Sequence, residues 1–187
     1  MLDLQEGRGP VRVLDDAAIE VVLRASRRIA IIGASSDPSR PSFSVFRYLV
    51  NQGFECVPVN PNERSVLGIA SFRTLEEAMT ETGPFDMVDV FRRSELCVPH
   101  AQEAVAAGAR CLWLQLGVVN WEAARIAVGG RRQRAADTAA ITLRVGEAVP
   151  IFLRWFQARS EKAARPIRVG ADGRFAARDD RREGGRG

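Results

Sequence analysis

Between Arg28 and Ser42 the chain reads Arg-Ile-Ala-Ile-Ile-Gly-Ala-Ser-Ser-Asp-Pro-Ser-Arg-Pro-Ser. No other stretch constrains the fold as strongly. A short apolar run that stops at a glycine reads as a buried parallel strand entering a sharp turn. Pro41 then opens a helical pattern, and proline suits the first helical turn, where its missing N–H would be unpaired in any case. Strand, polar turn and helix N-terminus in succession form a junction whose free N–H groups and dipole favour an anion, typically a phosphate. Arg40 places a fixed positive charge beside it.

The flanking sequence repeats the strand–helix alternation. Asp15 and Asp16 cap a helix running to about Ser26, and Arg27 and Arg28 suit its C-terminal end. The first strand follows at Ile29–Ile32. A helix from Pro41 to about Gln52 ends at Gly53, and a second strand, Glu55–Val59, stops at Asn60-Pro61. A loop through Gly68 leads to the capping box Thr74-Leu-Glu-Glu77 and a helix to about Thr80. The third strand is Met87–Phe91, and Ser94 caps a helix to Ala107. The fourth strand is Cys111–Leu116, and Asn120 caps a helix from Trp121 to Val128. Such alternation predicts an α/β fold, a Rossmann-like parallel sheet with helices on both faces.

After Gly129-Gly130 the regularity fails. Arg131-Arg-Gln-Arg134 stands where a fifth strand is due, and three charges in four positions do not suit a buried sheet. Ala139–Val145 suits a strand or a helix, so the last strand is left open. Ile151–Gln157 is apolar and aromatic enough to pack on the core. The expected organisation is a disordered N-terminus (1–12), one domain over 13–157 with 131–157 atypical, and a basic, disordered tail over 158–187.

Ligands of open parallel sheets bind outside the carboxyl ends of the strands. The candidate binding residues are therefore Gly33, Ala34, Ser35, Ser36, Arg40, Pro41 and Ser42 after the first strand, and Val59, Asn60 and Pro61 after the second. Arg92 and Arg93 follow the third, and Gln115 and Gly117 the fourth. The first turn lacks the second and third glycines of a dinucleotide fingerprint and the Gly-Lys-Ser/Thr of a P-loop. Val59-Asn60-Pro61 puts no acid where NAD enzymes hold the ribose, which counts against NAD and leaves other nucleotides open. Arg92 and Arg93 offer paired donors to phosphate. His100 reads as a surface or satisfied histidine within a helix. Asp86 and Asp89 flank the third strand on different surroundings, not as a catalytic pair, and no catalytic constellation emerges.

Cys56, Cys97 and Cys111 are far apart and His100 is the one histidine, so no metal site is expected and the cysteines read as buried thiols. No apolar run approaches the roughly 20 residues of a membrane span. The N-terminus is polar and unlike a signal peptide, so the expected location is cytoplasmic. The net charge of +4 hides an asymmetry: residues 1–124 carry 12 basic against 16 acidic residues, and residues 125–187 carry 15 against 7. The tail supplies the basicity. A tail of this kind is more often a solvated extension than a nucleic-acid arm.

Four blocks together carry a resemblance: Gly33-Ala-Ser-Ser-Asp-Pro-Ser-Arg-Pro-Ser42, Val57-Pro-Val-Asn-Pro61, Val88-Asp-Val-Phe-Arg-Arg-Ser-Glu95 and Trp113-Leu-Gln-Leu-Gly-Val-Val-Asn120. In order and spacing they resemble the bacterial CoA-binding protein family, small single-domain relatives of the CoA-binding domain of succinyl-CoA synthetase. The similarity covers about residues 13–130. It implies a Rossmann-like fold that binds coenzyme A or an acyl-CoA. The pyrophosphate would lie on the Gly33–Ser42 loop, and the adenosine end toward Val59–Pro61 and the loop after Phe91. The family carries no firmly assigned reaction, and the phosphohistidine of the synthetases belongs to a further domain. Family members usually continue into a strand of the form Val-Val-Met-Asp-Arg-Cys, where this chain has Arg131–Ala136 and then Asp137. Two other functions compete: a nucleotide-dependent enzyme on the same fold, NAD(P)-linked or a ligase fragment, and a nucleic-acid or partner binder using the tail. A homodimer is also left open.

Overall fold

The structure, a computed structural model, describes residues 16–115, 118, 120–132 and 142–143. The expectations for the N-terminus 1–12, Asp15, Gly117, Asp137, Ile151–Gln157 and the tail 158–187 fall outside the described residues.

The strands form where apolar runs were read, within a residue or two at each end. Helix α1 (Asp16–Ala25) leads into β1 (Arg28–Ile32), α2 (Pro41–Asn51) and β2 (Glu55–Val59). The connection after β2 holds a small antiparallel hairpin, β3 (Ser65–Val66) and β4 (Ile69–Ala70), where the sequence predicted only a loop. Then come α3 (Leu75–Thr82), β5 (Met87–Val90), α4 (Cys97–Ala106), β6 (Cys111–Leu114), α5 (Trp121–Arg132) and β7 (Thr142–Leu143).

Five strands make one parallel sheet in the order β2-β1-β5-β6-β7. Strands β1, β2, β5 and β6 are buried on both faces, which is why they read as continuous apolar runs. Alternate residues feed two cores. Ile29, Ile31, Cys56, Met87 and Trp113 pack with Ile19 and Leu23 of α1 and Phe43, Phe46 and Leu49 of α2. Ala30, Ile32, Val57, Val88, Val90 and Leu112 pack with Leu75 of α3, Ala101 and Ala104 of α4, and Ala123, Ala124 and Ala127 of α5. Period-two side chains on a doubly covered sheet dictate this division.

Three local expectations need correction. Arg27 and Arg28 do not serve the end of α1: their guanidinium groups both reach Glu55 at 2.9 Å, and their N–H groups donate to Asp86. Ser94 does not cap α4. It begins a 3-10 turn, Ser94–Leu96, and α4 starts at Cys97, with Pro99 in its first turn where no N–H is needed. Helix α5 does not stop at Val128 but runs through Gly129-Gly130 to Arg132. Glycine costs a helix about 1 kcal/mol relative to alanine. Burial of Ala123, Ala124 and Ala127 in the core offsets that cost. The arginine run therefore begins inside a helix, and the fifth strand comes later: β7, within Ala139–Val145, pairs Thr142 with Trp113 and Leu143 with Leu114. Among the described residues, no helix is long and apolar enough to cross a membrane.

Candidate functional site

In chain order the sheet strands are first β1, then β2, β5, β6 and β7, so the spatial order is 2-1-3-4-5. The connection from β1 leaves toward β2, and the chain then returns past β1 to β5. The crevice at this reversal, outside the carboxyl ends of β1 and β5, is where such sheets hold ligands.

Gly33 closes the junction. Its φ is +80°, its N–H donates to the Val59 carbonyl at 2.9 Å, and a Cβ on it would stand 2.5 Å from the Phe91 carbonyl oxygen. The ends of β1, β2 and β5 thus converge on one residue without a side chain, and the Phe91 backbone forbids a Cβ there. Ala34 is fully buried, and its carbonyl accepts the Asn60 side-chain amide at 2.7 Å. The Asn60 Oδ1 in turn accepts the Asn62 N–H at 3.1 Å. Asn60 therefore ties the loop after β1 to the loop after β2, and Val59, buried, contributes its carbonyl. Pro61 is exposed.

Beyond Ala34 the loop is polar. Asp37 accepts from the Ser39 N–H and hydroxyl at 2.9 and 2.8 Å, and these bonds hold its carboxyl below the usual carboxylate value. Arg40 is extended at the N-cap of α2, with Pro41 next, no side-chain cap and no acidic residue in the first turn. The positive end of α2 thus carries no side-chain cap, and the anion beside it is Asp37, three residues before its N-cap. Arg40 lies 3.8 Å from Asp37, but both side chains are largely exposed, so the pair restrains it weakly. Ser42 is buried beneath the turn.

Sequence reasoning missed Glu63. From the β2–β3 connection its carboxylate accepts the Ser36 N–H at 2.9 Å, the Ser36 hydroxyl at 2.7 Å and the Ser35 hydroxyl at 3.1 Å. The Ser36 bonds lower its pKa. No local pattern announces this contact, because its partners lie 27 and 28 residues away.

After β5, Arg92 is half-buried and Arg93 exposed. The Arg92 Nε is a buried donor with no hydrogen-bond partner. Leaving such a group unpaired costs free energy, and an acceptor arriving from outside the chain would recover it. Gln115 donates its amide to Asp89, which is fully buried on β5. Burial pushes the Asp89 carboxyl up to about 7. Asp86 instead binds Arg110 and the Arg27 and Arg28 N–H groups, so the two aspartates do face different surroundings. Asn120 caps α5 through the Ala123 N–H, and its amide donates to the Ser94 carbonyl, joining the loops after β5 and β6. His100 pairs with Glu103 at 2.9 Å on α4, a satisfied helix histidine as expected.

A parallel sheet reversing beside a polar loop and an uncapped helix N-terminus is the architecture of a nucleotide-binding α/β fold. The profile of the CoA binding domain family matches residues 27–141, and the chain belongs to that family. Protein YneT of Bacillus subtilis is 40% identical over 107 residues, 57% of this chain and 77% of YneT. The alpha subunit of the ADP-forming acetate–CoA ligase II of Pyrococcus furiosus is 40% identical over 52 residues, 27% of this chain but 11% of that subunit. A solved structure from Thermus thermophilus superposes with a TM-score of 0.65 at 27% identity, covering 76% of this chain and 100% of that one.

Proposed function

We propose that this protein binds coenzyme A or an acyl-CoA in the crevice outside the carboxyl ends of β1 and β5. The observation that carries the reading is the Arg92 Nε, a buried donor without an acceptor at the end of the third strand of the sheet. An anionic group of the ligand supplies the missing acceptor. The Gly33–Ser42 loop, the open start of α2 and Arg40 suit the pyrophosphate. Arg92, with the exposed Arg93, suits a further phosphate, such as the 3′-phosphate that distinguishes CoA from ADP. Gly33, Ala34, Val59 and Asn60 shape the crevice through their backbone and the Asn60 clamp, while Gln115 borders it at the end of β6. Membership of the CoA binding domain family supports CoA over other nucleotides.

In this reading the binding domain spans 13–157, the basic tail 158–187 is not part of the site, and the protein acts in the cytoplasm. Mass spectrometry of small molecules released from the purified full chain tests the assignment. Co-purified CoA or a thioester of it is the expected result. A nicotinamide nucleotide in its place would overturn it, and bound nucleic acid would move the function to the tail.

A further inference from the structure

Three polar donors of the loop after β1 are already spent. The Ser36 N–H and the hydroxyls of Ser35 and Ser36 all point to the carboxylate of Glu63, at 2.9, 3.1 and 2.7 Å. A backbone N–H serves one strong acceptor, so Glu63 and a ligand phosphate cannot both hold the Ser36 amide. We propose that Glu63 is a built-in competitor of the ligand: its carboxylate occupies the anion-binding loop of the free protein and leaves when a phosphate enters. This inference rests on the CoA reading above and assigns that site a regulatory residue.

Charge and connectivity both support departure. The Ser36 hydrogen bonds hold the Glu63 carboxyl below its usual value, so it stands in the loop as a carboxylate, with the charge of Asp37 opposing it from the same loop. A phosphate added to this pair would meet two carboxylates, and repulsion falls when one of them withdraws. Glu63 reaches the loop from outside it, from the β2–β3 connection, whereas Asp37 belongs to the loop itself and is bound to Ser39. The clamp on the crevice is a different residue: Asn60 holds the Ala34 carbonyl through its own amide, in a bond that does not involve the Glu63 carboxylate. The loop thus keeps its anchor when the competitor leaves. Binding is weakened by the fraction of molecules in which Glu63 holds the donors, the ordinary cost of a site that must first open.

Titration calorimetry of the full chain and of Glu63→Gln with inorganic pyrophosphate and with CoA tests this. Glutamine keeps the shape and removes the charge. The expected result is tighter binding of both ligands by Glu63→Gln, by roughly tenfold if the engaged loop outnumbers the open one ten to one. A merely structural carboxylate would give weaker binding on its removal. Unchanged or weaker binding by the variant overturns the competitor role and leaves the CoA reading standing wherever the wild type binds CoA. A gain for pyrophosphate with no CoA binding in either protein upholds the competitor and sinks the CoA reading. If neither protein binds either ligand, both fall. Should Glu63→Gln fail to fold, NMR of the wild type decides: pyrophosphate must shift the Ser36 amide and the Glu63 carboxyl carbon along one saturation curve. A Ser36 shift without a Glu63 shift contradicts the proposal.

Discussion

Arg92 and Asp89 are the two residues whose chemistry is least reconciled with burial. An unpaired buried donor destabilises the free protein, so removing it has a distinctive sign. Arg92→Met should leave the ligand-free protein as stable as the wild type or more so, by urea unfolding. It should weaken CoA by about 1.5–3 kcal/mol, the range for a hydrogen bond to a charged group, while sparing dephospho-CoA. Loss of stability without loss of affinity would make Arg92 a structural residue. Asp89 titrates about 7 in the fold against 3.8 ordinarily, because burial disfavours its carboxylate. The folded state then keeps a proton that the unfolded chain gives up. Stability attached to this group is full below about pH 4, declines between about 4 and 7, and is lost above. Asp89→Asn, which still accepts from Gln115, should therefore gain on the wild type as pH rises. The gap should be wider at pH 8 than at pH 5, and on the order of 4 kcal/mol at most from roughly 1.4 per unit. Parallel stability curves for the two proteins from pH 5 to pH 8 would contradict this assignment.

At the scale of elements, the ends of β1, β2 and β5 meet at Gly33, and the proposed site is built on that junction. Gly33→Ala puts a Cβ against the Phe91 carbonyl and a side chain at positive φ. Positive φ alone costs about 1–2 kcal/mol, and the clash adds to it. The variant should unfold at lower urea and lose CoA binding, because relief requires β1 or the end of β5 to shift. Wild-type stability in the variant would show that the junction yields freely. This element was legible in sequence: an apolar run ending in glycine has few other readings, and the strand bounds followed from the same logic. The Asn60 clamp and the Glu63 contact were not legible, since both join residues more than 25 positions apart. The β3–β4 hairpin escaped notice because two-residue strands leave no alternation to read. The extension of α5 escaped because Gly129-Gly130 carries a stop signal that packing on the sheet and α4 overrides.

For the whole molecule, the sequence revealed a parallel sheet but not its strand order. Order depends on which strands pair, and no local pattern encodes that. The order 2-1-3-4-5 is what places the ends of β1 and β5 side by side, at the reversal where open parallel sheets hold ligands. Every one of those motifs precedes Trp121. A chain ending at Gln157 should thus bind CoA as the full chain does; if it folds but binds much more weakly, residues 158–187 belong to the site. Any nucleic-acid binding should vanish with the tail and fall steeply with salt. The most direct test of the central claim is calorimetric titration of the full chain with CoA, dephospho-CoA, ADP and NAD. The account predicts saturable binding of CoA, weaker binding of dephospho-CoA and of ADP, and none of NAD. Tight binding of NAD with none of CoA would contradict it.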